Sequence, residues 1–248
     1  MTPELSIRTF TDDQYVLDKV FYANNYRLKT FEEKDKITIV DIGAHIGFFS
    51  LLCLMRGANK VYSVEPFTDN FRVMNKNLEA FPDKVTALKL GIYTETRFAS
   101  FNFPENKDNF FYLSNLEMSK GGDAPSDLSY FIKLDELLNG IPEAEVDLLK
   151  INIGYAETDI LLSSQGIEKC KFVCGEVRST EKKVKELVDY MKEMGFEDSY
   201  LAQSKEEENT HLFLFAKEKC EDLFNLVVSG SPEEMEMESA VQQPERMA

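Results

Sequence analysis

A β-branched apolar run, Ile37-Thr38-Ile39-Val40, leads at once into Asp41-Ile42-Gly43-Ala44-His45-Ile46-Gly47 and then into a long-sided apolar stretch, Phe48 to Met55. This change of pattern constrains the chain more than any other feature. The first run reads as a buried strand, the glycine-bearing segment as a turn, and the third as a buried helix stopping near Gly57. Val61-Tyr62-Ser63-Val64 reads as a second strand, ended by Glu65-Pro66. Asp69 to Glu79 carries Phe71, Met74 and Leu78 at helical spacing, and Val85 to Leu90 reads as a third strand. A β-α-β-α-β series implies parallel strands joined by right-handed crossovers.

The second half repeats this logic. Val146 to Ile151 reads as a strand, Ala156 to Ser163 as a short helix, and Phe172-Val173-Cys174 as the centre of another strand. Glu181 to Met194 has Val184, Leu187, Val188 and Met191 on one stripe, which predicts an amphipathic helix broken by Gly195-Phe196. Strands near Asp198 to Ala202 and His211 to Ala216 are joined directly by a polar loop, so they must pair antiparallel if they are neighbours. The expected architecture is α/β, mostly parallel, with a C-terminal antiparallel hairpin. Thr96 to Lys133 fits neither pattern: Phe98, Phe101, Phe103, Phe110, Phe111 and Tyr112 precede a Gly121-Gly122 turn, which reads as an inserted hairpin or lid. The stretch after about Ser229 is rich in Glu and poor in apolar residues, as disordered tails are.

Charge and composition narrow the function classes. With 44 Asp and Glu against 28 Lys and Arg, the net charge of −16 disfavours tight binding to nucleic acid or anionic membranes. The longest apolar stretches fall far short of the roughly 20 residues of a membrane span, and the N-terminus does not read as a signal peptide. Cys53, Cys170, Cys174 and Cys220 form no CxxC pair, and His45 and His211 are the only histidines, so no metal site is expected. Reduced thiols, two or three of them in the core, suit a cytoplasmic protein.

A glycine turn after the first strand of an open α/β sheet marks a nucleotide site beyond the carboxyl ends of the strands. Gly43 and Gly47 permit close backbone approach. Glu65 ends the second strand, 24 residues after Asp41, where an acid can accept both hydroxyls of a ribose. The dinucleotide fingerprint GxGxxG is absent; the spacing is GxxxG, with Asp41 two residues before the first glycine. A carboxylate there is expected to repel a pyrophosphate and attract an ammonium or sulfonium cation. That favours S-adenosylmethionine (SAM) over NAD, and an NAD-dependent oxidoreductase is the lesser alternative.

These residues resemble the FkbM-type SAM-dependent methyltransferases. Val40 to Ser50 is similar to their first motif, Val61-Tyr62-Ser63-Val64-Glu65-Pro66 to their second, and Phe71 to Leu78 to the helix after it. Phe131 to Leu138 resembles the segment before the fourth strand, Val146 to Ile151 that strand, and Ala156-Glu157 part of the motif beyond. The resemblance runs from about Asn24 to Lys217. It implies a Rossmann-like class I methyltransferase with a seven-stranded sheet, and methylation of a hydroxyl oxygen on a small molecule or glycan acceptor. It also implies cofactor contacts from Asp41, Gly43, Ala44, His45, Gly47, Glu65, Pro66 and Gly91. The family pattern Lys-Ile-Asp-Val-Glu-Gly-Ala-Glu here reads Lys150-Ile151-Asn152-Ile153-Gly154-Tyr155-Ala156-Glu157. Two acids are lost and Tyr155 adds bulk. Lys150, Asn152 and Glu157 remain as candidate catalytic residues, although Lys150 also reads as an ordinary strand-end lysine and Glu157 as a helix starter. His45 is expected to shape the turn, Glu176 to end the fifth strand, and His211 to be structural. The expected division is an N-terminal extension (1–36) packing on the domain, a methyltransferase domain (37–217) with an insert at 96–133, and an acidic tail (218–248). The altered motif leaves a second reading: a catalytically degenerate SAM-binding or interaction module. Oligomeric state is not encoded in any pattern found.

Overall fold

A computed structural model describes residues 5–9, 11–32, 36–102, 126–154, 156–203, 209–218 and 223–224. Strand β1 (Thr38–Ile42) is buried at every position. Burial on both faces explains its unbroken apolar character. Ile39 and Leu148 pack on one side of the sheet, and Val40 and Leu149 on the other. Helix α2 (Phe48–Met55) buries Phe48 to Leu54 and exposes Met55 at its end. Burying each such large side chain contributes about 1.5–3 kcal/mol.

Strands β2 (Lys60–Val64), β3 (Val85–Leu88), β7 (Val146–Ile151), β8 (Cys170–Arg178), β9 (Asp198–Gln203) and β10 (Thr210–Ala216) complete a sheet in the order β3-β2-β1-β7-β8-β10-β9. All neighbours are parallel except β10, which runs antiparallel to both β8 and β9. Strand order reverses between β1 and β7, which opens a crevice at their carboxyl ends. Helices α2 and α3 (Thr68–Leu78) lie on one face. On the other lie α4 (Leu134–Gly140), α5 (Glu157–Leu162) and α6 (Glu181–Glu193). In α6, Val184, Leu187 and Met191 are buried, and Thr180 caps the first turn by accepting from the Lys183 amide.

Two boundaries differ from expectation. The third strand stops at Leu88; Gly91–Ile92 forms β4 in a second sheet with β5 (Arg97–Asn102) and β6 (Ser126–Ile132), in the order β4-β6-β5. There β5 and β6 pair antiparallel. The insert therefore opens and closes as a hairpin, while Phe103, Phe110, Phe111, Tyr112 and the Gly121-Gly122 turn lie outside the described residues, as does the acidic tail. Strand β8 runs on to Arg178, so Glu176 sits inside it rather than at its end. Glu176 faces Leu212 across the ladder and pairs with Arg178 at 3.2 Å. Cys53, Cys170 and Cys174 are buried free thiols; Cys220 lies outside the described residues.

The chain before β1 forms α1 (Asp13–Leu17), a π-helical turn (Asp18–Tyr22) and an extended return. Leu17, Val20, Leu28 and Phe31 enter the same core as α2. The ring of Tyr26 meets that of Phe49 edge-on at 4.7 Å. No described helix is long and apolar enough to cross a membrane.

Candidate functional site

The turn after β1 is left-handed at three residues in five: Gly43 (φ 72°), His45 (54°) and Gly47 (88°). Asn and His tolerate this region better than bulkier residues do, so His45 suits its place. A Cβ on Gly43 would strike the backbone carbonyl of Asn152, so only glycine lets the first turn and the end of β7 touch. The amides of Gly43 and Ala44 both donate to the carbonyl of Val64, each at 3.0 Å. The turn is thereby tied to the end of β2.

Glu65 stands at that strand end, 3% exposed. Its Oε2 accepts from the His45 amide at 2.9 Å. Its Oε1 accepts from the Phe67 amide at 3.1 Å and from Asn70 Nδ2 at 3.2 Å. Burial pushes its carboxyl up to about 7, outweighing these donors and the more distant charge of Lys150.

Asp41 is placed differently from the sequence expectation. It is fully buried beneath the turn and does not line the crevice. Its register partner on β7 is Lys150, whose Nζ lies 2.9 Å from Asp41 Oδ1. Ser50 donates to Asp41 Oδ2 at 2.7 Å and lies 2.7 Å from the Ser63 hydroxyl. The carboxylate that was expected to attract a cationic ligand is already neutralised from within. Lys150 also donates to the carbonyls of Gly43 (2.8 Å) and Ile42 (3.3 Å), fastening the turn from below.

The crevice has an empty volume of about 750 Å³ including its mouth. Of the residues expected there, Gly43, Ala44, His45, Glu65, Pro66, Lys150 and Asn152 line it. Gly47 does not; it packs against Met74 and Leu78. Gly91 is set apart in β4, pressed against the Phe131 ring, but borders a narrow apolar recess with Ile42, Gly43, Val64 and Pro66. Glu157 is not on the wall either. Its Oε1 accepts from the amides of Ile153 (2.7 Å) and Gly154 (2.6 Å), so it anchors the loop after β7. Burial raises its carboxyl to about 7. Gly154 has φ 113°, a conformation that side-chain-bearing residues rarely adopt, which accounts for glycine in place of the family's acid. Tyr155 lies outside the described residues. His211 follows the first residue of β10, pairing with Val177 and Gln203 on either side.

Sequence reading missed the residues that roof the crevice. Val16, Val20 and Tyr26 line it from the N-terminal strap, and Asn70 from α3. Arg8 holds the strap down: it binds Asp13 through Nε (2.9 Å) and Nη2 (2.7 Å), and Asn70 through Nη1 (2.8 Å). His45 Nε2 lies 3.2 Å from Arg8 Nη2 and 3.5 Å from Asp13 Oδ1. Burial alone would raise the Asp13 carboxyl, but the Arg8 bonds outweigh it and hold it low. Burial, reinforced by Arg8 and Lys150, lowers the His45 imidazole to about 4, so it is neutral near pH 7. Arg8 reaches His45 and Asn70 across 37 and 62 residues of chain, and no local pattern announces those contacts. Among the described residues no group of His, Cys, Asp and Glu could hold a metal ion.

A mostly parallel seven-stranded sheet with an antiparallel final hairpin, and a glycine turn facing an acid at the next strand end, is the fold of the class I methyltransferases. Residues 41–197 match the family described as Methyltransferase FkbM domain, and the protein belongs to that family. The crystal structure of Methyltransferase FkbM from Methylobacillus flagellatus KT shares this fold. Its TM-score is 0.50 at 16% identity, covering 86% of this chain and 56% of that one. The METTL16 MTase domain gives 0.50 at 12% identity, covering 88% and 74%. Among curated proteins, the AMB antimetabolite synthetase AmbE of Pseudomonas aeruginosa is 23% identical over 228 residues; the match takes in 76% of this chain but only 11% of AmbE.

Proposed function

We propose that the crevice binds SAM and that the protein methylates an oxygen of a small-molecule or sugar acceptor. The observation that carries the reading is Glu65: a buried acid at the end of β2, beside the backbone of a left-handed glycine turn, in a chain of methyltransferase family. The residues present fit the cofactor. Glu65 offers carboxylate lone pairs to a ribose, the recess beside Gly43 and Gly91 gives the crevice an apolar border, and the shelf at Gly43 admits no Cβ. When bound, SAM supplies an electrophilic methyl on a cationic sulfur. Lys150 and Asp41 set the height of the turn beneath it. Asn152 and Tyr26, whose side chains interact, stand at the acceptor side. Their part is to position the acceptor oxygen, whose proton would leave to solvent.

Calorimetric titration with S-adenosylhomocysteine (SAH) tests the reading; binding is expected, and no heat at millimolar SAH overturns it. A second reading is favoured by one observation: Asp41, Lys150 and Glu157 are all engaged in holding the turn and loop, and Asn152 replaces an acid. That is the arrangement of a SAM-binding module without a base. SAH binding with no methyl transfer across a broad acceptor panel would select it.

A further inference from the structure

A second cleft opens on the same face of the sheet, one strand along from the cofactor crevice. It has an empty volume of about 710 Å³ and lies between the returning strap and strands β8 and β10, with Cys174, Gly175 and Leu212 to Leu214 on its strand side. Cys174 and Gly175 on β8 are the register partners of Lys150 and Ile151, so the floor lies beside the end of β7, just before Asn152. Tyr26 lines both cavities and is the partition between them. The strap segment is pinned by a hydrogen bond from the Lys29 amide to the Leu223 carbonyl (2.9 Å) and by the bridge between Leu28 and Phe224.

Asn24 and Arg27 both adopt left-handed backbone, with φ 45° and 49°, in the turn that closes the π-helical segment, where the Asn25 amide donates to the Lys19 carbonyl (3.1 Å) and the Arg27 amide to the Asn24 carbonyl (2.7 Å). Two polar groups on this lining stand out. Asn24 Oδ1 is buried without a hydrogen-bond partner among the described residues. Arg27 lines the cleft, and its guanidinium forms no ion pair with any described residue, in a chain carrying 44 acids. Glu176, the acid whose charge reaches Tyr26, is held by Arg178 and does not line the cleft.

We propose that this cleft is the acceptor site, and that it takes a hydroxylated anion: a carboxylate or phosphate met by Arg27, with a hydroxyl donating to Asn24. The inference deepens the methyltransferase reading and rests on it. A guanidinium presents a planar fork suited to either anion, and an orphaned amide oxygen suits a hydroxyl donor. Tyr26 and Asn152 stand where such a ligand would meet the cofactor crevice.

The test uses the whole protein saturated with SAH and four probes: D-galacturonate, glucose 6-phosphate, and the neutral sugars D-galactose and D-glucose. Backbone amide shifts of residues 24–27, 174–175 and 212–214 are followed by NMR up to about 10 mM probe. One or both anionic sugars are expected to shift these amides, the responsive probe distinguishing carboxylate from phosphate, with little response to the neutral sugars. Arg27→Gln is expected to weaken that binding about tenfold or more, and Arg27→Lys to retain part of it, both with unchanged SAH affinity. No response to either anion, an equal response to the neutral sugars, or unaltered binding in Arg27→Gln overturns the proposal. SAH binding is measured first, so a failure of the cofactor reading is seen separately from a failure of this one.

Discussion

Glu65 is the residue where folding and binding pull in opposite directions. Burial raises its carboxyl to about 7, so its ionised form is costly. A ribose supplies hydroxyl donors that favour the ionised form, so SAH affinity is expected to fall as pH drops through about 7, measured by titration at several pH values. Glu65→Gln removes the buried charge. It should raise the melting temperature of the ligand-free protein and weaken SAH about tenfold or more, read from melts and calorimetry on the same variant. Lys150 makes the opposite case. Lys150→Met leaves the Asp41 carboxylate buried and unpaired, a loss of about 3–5 kcal/mol by denaturant unfolding. The double variant with Asp41→Asn should recover much of that loss, because the orphaned charge is gone. A merely additive result would show that the two side chains do not act as a pair.

At the scale of elements, the strap is the part that local pattern could not locate. Its helix and π-turn are short, and short helices draw their stability from packing rather than propensity. The strap is held by Leu17, Val20, Leu28 and Phe31 in the core and by Arg8 on Asp13 and Asn70. Arg8→Ala is expected to speed hydrogen exchange across residues 11–22 while leaving β1 and β7 protected, because it strands a buried carboxylate in the strap alone. Uniform acceleration across the sheet would instead mean that the strap and domain unfold as one unit. The strands and α6 were legible because apolar periodicity and turn glycines are local signals; Val184, Leu187 and Met191 fall where the stripe places them. The end of the third strand was not, because Gly91 leaves the main sheet to pair with Phe131 in the smaller one. That choice belongs to a partner about forty residues away in the chain.

For the whole molecule, the raised carboxyls of Glu65 and Glu157 set a pH trend. In the unfolded chain they titrate near 4.5, and in the folded protein at about 7. Between those values the folded state holds protons that the unfolded state has lost. The stability these groups contribute is therefore fully present below about 4.5 and is lost as pH rises through about 7. The ligand-free protein should melt higher at about pH 6 than at about pH 8, with the difference reduced in Glu65→Gln. Saturation with SAH at a hundredfold excess over Kd should add about 2.7 kcal/mol, or about 5–10 °C in melting temperature. The sequence alone determined the class of fold, the glycine turn and the acid at the second strand end, because these follow from backbone conformation and the periodicity of neighbouring residues. Only the tertiary structure decided what each charge faces. It turned Asp41 inward onto Lys150, set Glu157 to hold a loop, and brought Val16, Val20 and Tyr26 over the crevice, because charge pairing and burial are settled between segments far apart in the chain.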